Sequence, residues 1–203
     1  MGPPADLAGA WTGTLRTYDG GVVPIALLFQ PDGDVHVTLG TQLKTLLVAP
    51  SYAKGELTGR FLGTLPTEEQ RRHGYSIQLD LRLRDGALRG QASALSTEDP
   101  VYYALTSYVE LRRVADRALT GEDSARYVGS YTTPFGSTLQ LTTEGGKLKV
   151  ERGARPRVFL YQGADTFLGA DDPGVRLVFK RGADGKAASA MLTAGGQVLE
   201  ATR

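Results

Sequence analysis

The chain contains no cysteine and no asparagine. The first absence removes disulfides, thiolate nucleophiles and zinc–thiolate sites together. It does not fix the compartment, because proteins without disulfides occur on both sides of a membrane. The second absence removes every N-glycosylation acceptor. Histidine occurs only at His36 and His73, and tryptophan only at Trp11. Neither sign of charge is in excess: 23 basic against 22 acidic residues leave +1, so no field steers nucleic acid or an anionic membrane. No apolar run approaches the roughly 18 residues that a membrane helix needs. The opening Met1-Gly2-Pro3-Pro4-Ala5-Asp6 has no basic region followed by an apolar stretch, unlike a signal peptide, and reads as a cloning start that precedes an excised fragment.

What the chain does have is turn chemistry. Its 26 glycines and 10 prolines in 203 residues suit many short strands and not long helices. Tyr75 to Arg84 is the clearest strand: the first four odd positions are Tyr75, Ile77, Leu79 and Leu81, and the even positions are all polar. Tyr18-Asp19-Gly20-Gly21, Pro31-Asp32-Gly33-Asp34, Lys54-Gly55 and Asp85-Gly86 punctuate the first half. Pro24 marks a sheet edge or a strand start, and Leu43 to Ala49 reads as a fourth, continuous strand. Gly59 and Gly63 mark bends. Thr67 to Gly74 is the one helix-permitting insertion.

One stretch returns. Gly9-Ala10-Trp11 near the start is echoed by Gly129-Ser130-Tyr131. In each copy a glycine stands two residues before a large ring at the head of a run of strands. Glycine lets the backbone approach closely, and the ring plugs one end of a small barrel. The endings rhyme too, Val109 to Arg112 with Leu199 to Arg203. The expectation is an all-β chain of two antiparallel up-and-down barrels of about eight strands each. Their spans are 1–116 and 117–203, and the linker carries a short helix started by Thr120 and running to Arg126.

With both halves laid out, the second resembles the small lipocalin-like domain at the C-terminus of serine hydrolases of the beta-lactamase and penicillin-binding-protein type. Tyr127 to Tyr131, Leu148-Lys149-Val150, Phe159-Leu160, Asp165-Thr166-Phe167 and Val178-Phe179-Lys180 with the Asp184-Gly185 turn carry that resemblance. The first half is similar to the barrel that often precedes it, through Gly9 to Gly13, Pro31 to Asp34 and Gly55 to Phe61. The resemblance implies that the catalytic residues lie in a separate N-terminal domain of a parent chain, which is the partner to expect. It also implies that the first-strand ring meets an arginine from the last strand. Trp11 is thus expected within about 6 Å of Arg112 or Arg113, and Tyr131 of Arg203, as cation–π pairs.

Tests for chemistry leave little. Ser51-Tyr52-Ala53-Lys54 matches Ser-x-x-Lys, in which a lysine activates a serine on one helix turn. Here it runs from Pro50 into a glycine turn, without an asparagine-bearing partner motif, and is expected to be non-catalytic. Arg71, Arg72 and His73 are the binding candidates, because arginine forks suit a carboxylate or phosphate. His36 reads as a barrel-wall residue. Asp32 with Asp34 and Asp171 with Asp172 sit where turns favour aspartate, so no metal is expected. No Gly-x-Gly-x-x-Gly opens a helix, so no cofactor is expected. Lys147, Lys149, Arg152, Arg155 and Arg157 read as a solvated strand face, not a nucleic-acid interface.

The chain is therefore expected to be non-enzymatic: an accessory region of a beta-lactamase-like serine hydrolase that shapes substrate access or assembly. The alternative is a free-standing lipocalin-like binder of a small hydrophobic ligand, held in the first barrel because its strands are longer. The shorter strands of the second should be filled by their own side chains.

Overall fold

Period-two patterning and closely spaced turns give seventeen strands and one short helix. A computed structural model describes residues 4–68, 75–96, 104–151 and 156–203. The chain divides into two units, Met1–Arg113 and Val114–Arg203.

The first unit holds β1 (Gly9–Arg16), β2 (Val22–Phe29), β3 (Val35–Leu39), β4 (Thr45–Leu46), β5 (Val48–Ala53), β6 (Glu56–Leu62), β7 (Tyr75–Arg84), β8 (Ala87–Ser96) and β9 (Ala104–Arg113). They form one barrel-like antiparallel sheet in the order β4-β3-β2-β1-β9-β8-β7-β6-β5. Its ends, β4 and β5, are adjacent in sequence. The single strand expected over 43–49 is instead broken at Leu47: Leu46 pairs with His36 on β3, and Val48 pairs with Arg60 on β6. Leu47 turns inward at the break and is buried. Gly59 makes this possible, because a Cβ there would lie 2.6 Å from the Leu47 side chain. The wall thus changes partner at a corner where a small residue faces a large one.

Pro24 also departs from the edge position. β2 lies between β1 and β3, and Pro24 pairs with Thr14 on β1. Its carbonyl accepts from Gly40 N–H at 2.7 Å, on the β3 side. The missing N–H points the same way, toward the turn that follows β3, so the ladder to β1 loses nothing.

The second unit holds α1 (Gly121–Tyr127), β10 (Gly129–Thr132), β11 (Thr138–Glu144), β12 (Lys147–Glu151), β13 (Arg157–Gly163), β14 (Thr166–Gly169), β15 (Arg176–Arg181), β16 (Ala187–Ala194) and β17 (Gln197–Thr202). The strands form a closed barrel in sequence order. Thr120 caps α1, its hydroxyl accepting from Asp123 N–H at 3.1 Å. The unit begins at Val114, three residues before the expected boundary. The cause is local: Gln162 on β13 donates from Nε2 to the Ala115 carbonyl at 2.8 Å and accepts from Ala115 N–H, while Arg117 bridges to Tyr161. These bonds make the expected connector part of the second unit.

Each unit has its own core. In the first it is mainly aliphatic, with Leu15, Leu27, Val35, Val37, Ile77, Leu79, Leu81, Val109 and Leu111 sealed from solvent. These side chains fill the interior, so the expected room for an internal ligand is taken. In the second the core is built on rings. Tyr127, Phe167 and Phe179 stand 4.9 to 5.5 Å apart, with Tyr131 and Tyr161 beside them.

Candidate functional site

The repeated motif builds the same network twice. Trp11 is buried and donates from Nε1 to the Leu7 carbonyl at 2.9 Å. Tyr131 is buried and donates from its hydroxyl to the Tyr127 carbonyl at 2.8 Å. In both cases the acceptor lies four residues earlier, so the ring's polar edge is satisfied inside a dry end. Arg113 stands over Trp11 at 4.7 Å, and Arg203 over Tyr131 at 5.6 Å. Arg112, one residue from Arg113, points instead to Glu110 at 3.0 Å. Arg113 donates to the Ala8 and Asp6 carbonyls, and Arg203 to those of Val128 and Arg126. These are the first and third residues before Gly9 and before Gly129. Both glycines have positive φ, +98° and +148°, and a Cβ at Gly129 would meet the Arg203 guanidinium at 2.7 Å. Glycine is needed here for backbone geometry and for space.

The Ser-x-x-Lys match has no helix under it. Ser51 is an exposed residue of β5 paired with Thr58, and Lys54 sits exposed in the next turn with φ +54°. His36 lies on β3 with its Nδ1 2.9 Å from Gln30 Nε2. The binding candidates Arg71, Arg72 and His73 lie outside the described residues, as do Arg152 and Arg155 of the basic stretch. Of the others in that stretch, Lys147 pairs with Asp116 at 2.8 Å and Lys149 pairs with Glu144. No group of three metal-ligating side chains occurs among the described residues.

Two charged clusters went unseen in the sequence. The first runs across the outer face of the first barrel, where register aligns Glu110, Arg89, Arg82 and Glu56 in one row. Arg89 reaches Glu110 at 3.4 Å and Arg82 reaches Glu56 at 3.2 Å. The hydrogen bond from Arg89 holds the Glu110 carboxyl below its ordinary range. A shallow hollow of about 530 Å³ lies over this row. Its charges are already matched in pairs, so it offers no unsatisfied field to an ion.

The second cluster is in the other barrel. Arg181 grips Asp165 with Nε at 2.9 Å and Nη2 at 2.8 Å, a two-pronged contact. The Tyr127 hydroxyl donates to the same carboxylate at 2.7 Å. Arg181 pulls the Asp165 carboxyl below its usual range, chiefly by hydrogen bonding. Burial, with Asp165 beside it, pushes the Tyr127 phenol well up, so it stays neutral and donates. Ala164 and Asp165 both have positive φ, +46° and +56°, in the turn joining β13 to β14. The network fixes a strained turn against the ring core and brings no nucleophile to a base. A mouth of about 560 Å³ opens over Phe159, lined also by Val150, Pro156, Arg157, Asp171, Leu192 and Ala194.

Two buried hydroxyls, on Tyr52 and Ser107, have no hydrogen-bond partner among the described residues. No helix of the described residues is long and apolar enough to cross a membrane. No protein-family model matches the chain, and no curated protein matches it significantly.

Proposed function

We propose that the chain is a non-catalytic accessory region of a beta-lactamase-like serine hydrolase, acting through its outer surfaces on substrate access or assembly. The observation that carries this reading is the filled interior of the first barrel, in which aliphatic side chains and the Trp11 ring occupy the space a chamber would need. The position of Ser51 on a strand and Lys54 in a turn supports a non-catalytic role. The resemblance of both halves to tandem lipocalin-like domains supplies the hydrolase partner. The test starts from the reading frame that carries the chain, where a serine hydrolase domain is expected. Deleting residues 1–203 from that protein should change KM for bulky substrates, or its assembly state, and leave kcat for a small ester unchanged. Turnover of a small ester by residues 1–203 alone, abolished by Ser51→Ala, overturns the reading.

A second reading is favoured by the mouth over Phe159: a lipocalin-like binder of a small hydrophobic ligand, seated in the second barrel and not the first. A hydrophobe library that raises the melting temperature of the second unit, and loses that effect in Phe159→Ala, supports it.

A further inference from the structure

The ring of strands in the second barrel is joined unevenly. β1 and β9 of the first unit share register from Trp11 to Arg16, whereas β10 and β17 share only Thr132 with Thr202. β10 ends at Thr132, and the chain turns at Pro134-Phe135-Gly136. β17, however, extends from Thr202 back to Gln197. Along an antiparallel strand, the N–H and C=O of one residue point to one side, and successive residues alternate. Arg203 N–H donates to the Ala188 carbonyl at 2.9 Å, so residues 199 and 201 also face β16. Val198 and Glu200 turn their backbone groups to the opposite side. There, among the described residues, no strand is in register with them.

An apolar cleft lies beside this edge. It measures about 530 Å³ and is lined by Phe135, Leu192, Ala194, Val198 and Leu199, with Ser137 and Gln197 at its rim. Phe135 is 86% exposed and Val198 60%. The Glu200 carboxylate is held by Lys180 and Ser189, both at 3.2 Å.

We propose that this seam docks an extended segment of a partner polypeptide, which adds as a strand to the edge of β17 and places a bulky apolar side chain between Phe135 and Leu199. The chemistry selects the occupant. A row of N–H and C=O groups at strand spacing is matched by another extended backbone, and neither a compact small molecule nor a nucleic acid supplies that row. The cleft adds selectivity through side chains at alternate positions. With Glu200 already engaged, the surface that meets the partner is apolar, so the docking segment is uncharged where it faces the cleft. This inference does not depend on the accessory reading: any polypeptide with such a segment fits.

Hydrogen exchange on the full chain tests it. In the free protein the amides of Val198 and Glu200 should exchange at least ~10-fold faster than those of Leu199 and Ala201. The probe is a nine-residue peptide alternating valine and threonine, with lysine at each end. At millimolar concentration it should slow the two seam amides ~10-fold. Val198→Pro deletes only a seam-facing donor and leaves the bonds to β16 in place, so affinity should fall ~10-fold with the fold retained. Val198→Thr keeps the donor and should keep the affinity. If Val198→Pro fails to fold, a backbone N-methylated peptide makes the same discrimination by losing its own donors. Equal protection of all four amides in the free protein overturns the proposal, as does a peptide without effect or one whose protection survives both changes. Protection that grows with protein concentration alone assigns the edge to a second copy of this chain and overturns the partner assignment.

Discussion

The two barrels share a plug and differ in almost everything the plug closes. In the first, Trp11 seals an aliphatic interior, and β1 and β9 run side by side over six register pairs, Trp11↔Arg113 to Arg16↔Tyr108. Its weak point is on the far side, where the wall changes partner at Leu47. In the second, Tyr131 seals a cluster of rings, and the weak point is the closing seam itself. Strand length explains much of the contrast. β1 has eight residues and β10 has four, so β10 ends before it can cover β17. Aromatic rings fill a short barrel with few side chains, whereas branched aliphatics need the longer strands to stack in layers. The motif fixes one end of a barrel and says little about its wall.

Substitutions can break this comparison or sharpen it. Trp11 is the sole tryptophan, so for every variant that keeps it, its fluorescence follows the first unit, and near-ultraviolet dichroism of the tyrosines weights the second. The largest effect is expected from Trp11→Ala. Removing a fully buried ring should cost the first unit about 3–5 kcal/mol in a denaturant titration read by circular dichroism, with the second transition unmoved. Next is Gly13→Ala, since a Cβ there would lie 1.9 Å from the Glu110 carbonyl on β9. The long β1–β9 seam would have to separate locally, at about 3 kcal/mol, read by the fluorescence midpoint.

Asp165→Asn belongs to the second unit and should cost it about 2 kcal/mol at neutral pH by removing the charged partner of Arg181 and Tyr127. Asparagine tolerates the positive φ of this turn, so the change isolates the charge. Because the folded carboxyl titrates below an unfolded aspartate, near 3.9, its contribution is complete above about pH 4. It is lost as pH falls through the folded value. The variant should therefore show a flatter acid limb in a pH series of melting temperatures. Arg113→Lys and Arg203→Lys should each cost about 1 kcal/mol, in the first and second unit respectively, because lysine cannot reach two carbonyls and a ring face with one planar fork. The smallest effect should be a gain. Ser107→Ala removes a buried hydroxyl without a partner and should raise the stability of the first unit by about 0.5 kcal/mol.

The plug was legible because its parts are local or terminal in their strands: a glycine, a ring two residues on, and an arginine at the end of the last strand. The alternation in Tyr75 to Arg84 identified the most buried wall strand for the same reason, since period two is carried by neighbouring residues. The Tyr127–Asp165–Arg181 network was not legible, since its members come from a helix end, a hairpin turn and a strand end, 38 and 16 residues apart. Only register brings them together. The corner at Leu47 left one visible trace, the glycine at position 59, but its partner could not be read from spacing. The seam at β17 was invisible because it depends on where β10 stops, and the residues after Thr132 carry no period that separates strand from turn.

The arginine clamp has a consequence for the order in which the barrels are made. Arg113 binds a carbonyl 105 positions upstream, and Arg203 one 75 positions upstream. During synthesis neither plug can be locked until the strand bearing its arginine has cleared the ribosome. Until then Trp11 sits on an unsealed hydrophobic sheet. The first unit, complete at Arg113, can settle while the second is still being translated, so the growing chain never needs to hold two open barrels at once.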